Sequence, residues 1–255
     1  MKEGIRLDYD RLLNIIAEAG RLLIEHGAEI YRVEETMVRL CESFEHVEKA
    51  DSFVLPTGIM LSLQAQNQTY TRILRVHYKE LNLDVIDRIN TLSREAVKHP
   101  FTIEELETKI NELTKVPSLS IKKQLLGSCI GAFGFALFFQ GNIWEAMTSL
   151  FIAIVIVLVK NFLNKLEIHS FMNQLICAAC AALCARTFDL YFTLREDILI
   201  ISSIMLLVPG LAITNAIRDT MRTDYVSGVA KAMEALISAV AIALGIVLVL
   251  TLYKG

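Results

Sequence analysis

The apolar positions change their period twice along this chain. Over residues 8–25, Leu12, Ile15, Ile16, Ala19, Leu22 and Leu23 recur at helical spacing. Gly27, just after His26, suits the end of that helix. Ile30, Val33, Met37, Leu40 and Phe44 predict a second amphipathic helix over about 29–44, with Arg32, Glu34, Glu35 and Arg39 on a solvated opposite face. The period then falls to two. Ser52–Leu55, Gly58–Gln64 and Tyr70–Val76 predict short strands, in which Ile59, Leu61 and Leu63 alternate with Met60, Ser62 and Gln64. Pro56-Thr57-Gly58 and Gln66-Asn67-Gln68 supply turns. Helical spacing returns over about 83–98 through Val85, Ile86, Ile89, Leu92 and Ala96, and Pro100 closes it. Thr102-Ile-Glu-Glu105 is a capping box that opens a short helix to about Leu113. Pro117-Ser118 marks a linker.

Beyond the linker the pattern loses its polar phase. Five apolar runs follow, at about 124–140, 143–160, 171–187, 197–217 and 226–253. A membrane span needs ~20 residues. The third run is closed early by Arg186 and Asp189, and Leu190-Tyr-Phe extends it into an interface. The expected fold class is an α-helical polytopic membrane protein: an α+β domain over 1–116, then about five transmembrane helices over 117–255. With that domain inside, the inner flanks hold Lys122, Lys123, Lys160, Lys165, Arg218, Arg222 and Lys231, and the outer flanks hold Arg186, Arg195 and Lys254. Seven against three places the N-terminal domain in the cytoplasm and the C-terminus outside. Residues 1–8 lack the apolar core of a signal peptide.

The fourth run is the most informative. Pro209-Gly210 interrupts it, and Thr214, Asn215, Arg218 and Asp219 follow. Proline removes a backbone donor and clashes with the carbonyl four residues back. In hydrocarbon such breaks are tolerated where protein, water or a ligand satisfies the freed groups. Transporters build substrate sites from such broken helices. A packing kink is the plainer alternative, because proline is common in membrane helices. Arg218 is a candidate anchor for a carboxylate, Thr214 and Asn215 can orient a small polar ligand, and Asn173 and Gln174 can contribute.

Composition narrows the class. The chain is 54% hydrophobic with a net charge of −3, and it carries no basic stripe with interleaved aromatics, which excludes nucleic acid. Of the five cysteines, Cys177, Cys180 and Cys184 share one helix face, and no further ligand converges on them, so packing explains them and no metal site is expected. His46, His77 and His99 are scattered, and no catalytic residue can be named from them. Gly127-Ser-Cys-Ile-Gly131 with Gly134, and Gly228 with Ala232, Ala235 and Ala239, are small-residue faces suited to close helix packing. No Gly-x-x-x-x-Gly-Lys-Ser/Thr loop occurs, which argues against an ATP-driven pump.

Gly27-Ala-Glu-Ile-Tyr-Arg-Val-Glu34, the Pro56-Thr57 turn, and Pro209-Gly-Leu-Ala-Ile-Thr-Asn-Ala-Ile-Arg-Asp219 followed by Asp224-Tyr-Val-Ser-Gly228 resemble the threonine/serine exporter family over nearly the whole chain. The short two-component members are similar to the N-terminal half of the fused exporters. The resemblance implies secondary export of threonine and serine, or of succinate and related dicarboxylates, across the cytoplasmic membrane of a prokaryote. It implies a small membrane subunit of about five spans as partner, no cofactor, and Gly27, Tyr31, Arg32 and Glu34 as the family motif of the cytoplasmic domain. Homo- or hetero-oligomers both fit. A membrane-anchored regulatory or assembly subunit, or a membrane-tethered enzyme, are the alternative classes. Five spans with a polar break exceed what an anchor needs.

Overall fold

The computed structural model describes residues 8–77, 81–117 and 119–252. Residues 1–7 of the N-terminal stretch, Ser118 of the predicted linker, and Tyr253 and Lys254 at the end of the last run lie outside the described residues. The chain divides into two units. One comprises the described residues up to 117 together with Asn215–Ala230, and the other Leu119–Thr214 with the described residues from Lys231 on.

In the first unit, α1 (Tyr9–Glu25) starts where the Asp8 side chain accepts from the Arg11 N–H at 3.1 Å. It ends in a Schellman turn: the Ala28 N–H reaches Leu23 O at 2.9 Å, which Gly27 permits at φ 87°. α2 (Ile30–Glu42) buries Ile30, Val33, Met37 and Leu40, the predicted apolar face. β1 (Val47–Leu55), β2 (Gly58–Ala65) and β3 (Gln68–Arg75) form an antiparallel meander in the order β1-β2-β3. Gln66 and Asn67 both take positive φ (51° and 62°), the two-residue turn whose twist suits a hairpin. Ile59, Leu61, Leu63 and Ala65 of β2 all face inward, so the register places the whole set in the core. β1 begins five residues before its predicted start, because Glu48, Lys49 and Asp51 face solvent and carry no apolar signal.

α3 (Leu83–Lys98) is capped by Asn82, whose side chain accepts from the Asp84 N–H at 3.2 Å. α4 (Ile103–Leu113) opens with the predicted box: Thr102 Oγ1 accepts from the Glu105 N–H at 3.2 Å, and Glu105 Oε2 accepts from the Thr102 N–H at 2.9 Å. One core joins the helices to one face of the sheet, and large aliphatic side chains fill it. Each contributes roughly 1.5–3 kcal/mol by leaving water.

The second unit inverts that distribution. α5 (Ile121–Phe138), α6 (Ile143–Lys165), α7 (Ser170–Phe192) and α10 (Tyr225–Leu252) are long and apolar enough to cross a membrane. Their buried positions mix small residues, such as Ala132, Ala136, Ala146, Ala153, Cys177, Ala178, Ala181 and Ala182, with aliphatic ones, such as Ile152, Ile156, Leu163 and Ile242. Large apolar side chains such as Ile154, Leu158, Phe162, Leu244 and Val247 point outward. Lipid is as apolar as leucine, so helices gain from close backbone packing rather than from hiding large side chains. Arg186 and Asp189 do not end α7, which continues to Phe192. The Arg186 guanidinium lies 3.4 Å from Asp189 and 3.0 Å from Glu196, so the charges are paired.

The fourth apolar run departs from a continuous span. Among the described residues four helices have span length, and residues 197–217 divide into α8 (Glu196–Ile204) and α9 (Gly210–Met221). At 1.5 Å per residue neither piece alone covers ~30 Å of hydrocarbon. The cause is Pro209, which has no N–H. The Gly210 N–H turns back to Val208 O at 2.8 Å, and α9 starts afresh.

Close helix contact in this unit rests on glycine where backbone meets backbone. A Cβ on Gly245 of α10 would stand 2.3 Å from Leu175 O and 3.0 Å from Ala179 N of α7, whereas at Gly127 and Gly134 of α5 nothing lies within 4 Å. Gly245→Ala should therefore destabilise the detergent-solubilised protein by about 1–3 kcal/mol. Gly127→Ala and Gly134→Ala should be neutral or slightly stabilising. Thermal melting of the three variants measures the contrast.

Candidate functional site

The motif segments that lie furthest apart in sequence meet in the first unit. Glu29 to Glu34 belong to the start of α2, and Asn215 to Gly228 form the end of α9, a short turn and the start of α10. The Asn215 Nδ2 donates to Gly27 O at 3.4 Å. Arg218 forms an ion pair with Glu29 Oε1. Arg32 Nε lies 2.5 Å from Glu29 Oε2 and also donates to the Tyr31 hydroxyl at 3.1 Å. The Arg222 guanidinium lies over the Tyr31 ring, 3.6 Å from its centroid, within cation–π range. Arg218 and Arg222 are four residues apart, so both project from one helix face toward α2.

A carboxylate group adjoins these arginines. Glu34 Oε1 accepts from the Val54 N–H of β1 at 2.9 Å, and its own carbonyl accepts from Ser52 Oγ at 3.4 Å. Asp219 is fully buried, and its carbonyl accepts from the Asp224 N–H at 3.0 Å, which tightens the turn into α10. Glu34 is held above the ordinary carboxylate range, first by burial and then by the negative charges of Asp224 and Asp219. The Val54 N–H pulls in the opposite direction. The polar face of α2 is thus only in part the solvated surface expected. Glu35 and Arg39 pair along the helix, while Arg32 and Glu34 are engaged within the cluster.

The predicted site residues fall into two sets. Asn215, Arg218 and Asp219 join Gly27, Tyr31, Arg32 and Glu34 in the first unit. Pro209, Gly210 and Thr214 belong to the second, where the Thr214 hydroxyl donates to Gly210 O at 2.9 Å within its own helix. Asn173 Nδ2 donates to Asn164 Oδ1 at 2.6 Å and links α7 to α6. Sequence reasoning missed Glu29, whose signal was its place at a helix start among motif residues. It also missed Glu145, which is 1% exposed and bound by Arg195 through Nε at 3.0 Å and Nη2 at 2.8 Å. That pair joins the start of α6 to the start of α8, and Ser149 and Ser202 bond at 2.8 Å one turn further in. A buried carboxylate in an apolar run needs such a partner.

A folded polar domain together with four span-length apolar helices defines a multi-pass membrane protein. The model of the putative threonine/serine exporter family matches residues 14–253, and the chain belongs to that family. Two curated relatives are each described as a probable succinate transporter subunit YjjP. The one from Escherichia coli strain K12 is 23% identical over 241 residues, covering 92% of both chains. The one from Klebsiella aerogenes is 22% identical over 236 residues, covering 91% of this chain and 90% of the relative. No solved structure matches.

The raised Glu34 gives the cluster a pH signature. A carboxylate with a folded-state pKa above its unfolded value adds stability that is present at acid pH and lost as pH rises through the folded value. Glu34→Gln, which keeps an acceptor for Val54, should therefore raise the melting temperature by a few degrees at pH 7–8. The gain should shrink as pH falls toward the ordinary carboxylate range near ~4.3. Melting curves of both proteins from pH 4.5 to 8 test it; a gain that grows toward acid pH would contradict the assignment.

Proposed function

We propose that this chain is one subunit of a secondary exporter for a small carboxylate-bearing metabolite, either threonine and serine or a dicarboxylate such as succinate. Its partner is a small membrane subunit of about five spans from the same family. Membership of the exporter family and the transporter-subunit description of both relatives support this reading. It has no catalytic role, and the metabolite passes unchanged.

The observation that carries the reading is the return of Asn215–Ala230 to the unit formed by the N-terminal residues, although apolar helices flank the segment on both sides. A chain that leaves one side of a membrane and comes back to it makes an even number of crossings. α5, α6 and α7 supply three. α8 and the first turn of α9 then make the fourth, as a broken crossing, and α10 makes the fifth. The lysine and arginine bias supports a cytoplasmic N-terminal domain and an external C-terminus. Trp144 at the start of α6 and Tyr191 at the end of α7 are 71% and 78% exposed, which suits an interfacial belt on the outer side. A broken crossing is where transporters bind substrate near exposed helix ends. Here it runs into Asn215, Arg218 and Asp219, so Pro209, Gly210 and Thr214 belong to the same proposed path.

Two experiments test this. Single cysteines placed at Gln140 and Thr193 on a cysteine-free background should be labelled from outside the cell only, and one at Thr223 from inside only; the reverse pattern would overturn the topology. Vesicles holding this chain and its partner should release preloaded substrate. Arg218→Ala should cut that efflux at least about tenfold, and Arg218→Lys less, because lysine keeps the charge but loses the two-pronged geometry. Asp219→Asn and Pro209→Ala should also impair it. Normal efflux by well-expressed Arg218→Ala and Pro209→Ala would leave the segment a packing role alone.

A further inference from the structure

Glu29 behaves unlike the other residues that begin helices in its unit. Asp8, Asn82 and Thr102 stand at the N-caps of α1, α3 and α4, and each side chain accepts from the N–H groups of its own helix. Glu29 holds the same position on α2 with extended backbone, yet its side chain makes no capping bond. Its carboxylate turns to two guanidinium groups instead, Arg32 at Oε2 and Arg218 at Oε1. The carboxylate is 12% exposed, whereas the Arg32 and Arg218 side chains are 51% and 42% exposed. The anion is therefore the covered member of the cluster, and the two cations face outward. Arg222 and Tyr31 stack beside them. Glu34, the other carboxylate on this helix near the cluster, commits Oε1 to the Val54 N–H.

A guanidinium receives any carboxylate through the same fork of donors. An arginine pair that already holds a side-chain carboxylate is thus a carboxylate receptor with a tethered occupant. Resting on the exporter reading above, we propose that Arg32 and Arg218, walled by Arg222 and Tyr31, form the site that takes up the carboxylate of the exported metabolite, and that Glu29 is a built-in competitor which the metabolite displaces. The displaced side chain has a destination, because the first turn of α2 lacks a side-chain cap. Competition of this kind weakens apparent affinity by the fraction of time the receptor is free. A site free about one-tenth of the time binds about tenfold more weakly than its intrinsic constant. Low affinity on the loading side is useful to an exporter, since it leaves the metabolite pool available until its concentration rises.

The test uses the purified full-length chain in lipid nanodiscs, with radiolabelled succinate and threonine as separate probes. Removing the competitor by Glu29→Gln or Glu29→Ala should tighten binding of at least one probe about tenfold. Arg32→Gln and Arg218→Gln should weaken it by about tenfold or more. Glu18→Gln, which neutralises a carboxylate paired with Arg21 on α1, should leave it unchanged. Unchanged or weaker binding in folded Glu29 variants overturns the proposal and makes the ion pair a structural tie. If both Glu29 variants fail to fold, the arginine variants decide: weakened binding supports the site, and undiminished binding overturns it. Efflux from vesicles judges the exporter reading separately. Flux without the Glu29 effect leaves that reading standing while this proposal falls, and the Glu29 effect without flux does the opposite.

Discussion

Pro209 has no backbone N–H, and it lies in an apolar run where water is not at hand to satisfy a freed carbonyl. The regular part of α8 stops at Ile204, five residues of turn follow, and α9 begins at Gly210, just after the residue that cannot donate. Without the break, residues 197–217 read as a helix of span length. With it, α9 carries Asn215, Arg218 and Asp219 to a place where they fold with the polar unit. The cluster around Glu29 and Tyr31 exists because the helix that supplies half of it is not the continuation of α8.

The two units obey opposite packing rules for one physical reason. In the first, water surrounds the surface, and stability comes from removing Leu, Ile and Met side chains from it. In the second, large side chains lose nothing by facing hydrocarbon, so alanine, cysteine, serine and glycine share the interior with aliphatic residues such as Ile152, Ile156 and Leu199. Several polar groups that remain inside are given a partner. Ser149 meets Ser202, Asn173 meets Asn164, and Glu145 is bound by both the side chain and the backbone of Arg195. The first and last of these pairs pin α8 to α6 on one side of the break, and the second ties α7 to α6. The pairs made by Asn215 and Arg218 hold the end of α9 on the other.

Charge in the cluster is balanced by exchange rather than by isolation. Arginines from α2 and α9 share Glu29, Arg222 stacks on Tyr31, and Glu34 lies near Asp219 and Asp224 at a cost that burial increases. The Glu29 carboxylate has a chemical equivalent in a small carboxylate metabolite. A merely structural tie has no need of so many exposed cations around one covered anion. That imbalance distinguishes this cluster from the surface pairs elsewhere, such as Lys49 with Asp51, which lie in water and contribute little.

The pattern of residues by itself determined the elements. The helical spacing of Leu12 to Leu23, the alternation of Ile59 to Leu63, the box at Thr102–Glu105 and the apolar runs each follow from local periodicity or from the chemistry of a single turn. The break at Pro209 was visible for the same reason, since a missing N–H is a property of one residue. Only the tertiary structure decided which charges meet. Glu29 and Arg218 are 189 residues apart, and Glu145 and Arg195 are 50 apart, so no periodicity links them. The exposed look of Glu34 on a helix face was misleading because burial depends on what folds against that face. An ion pair needs its partners within a few ångströms, and only the folded chain brings residues so far apart in sequence that close.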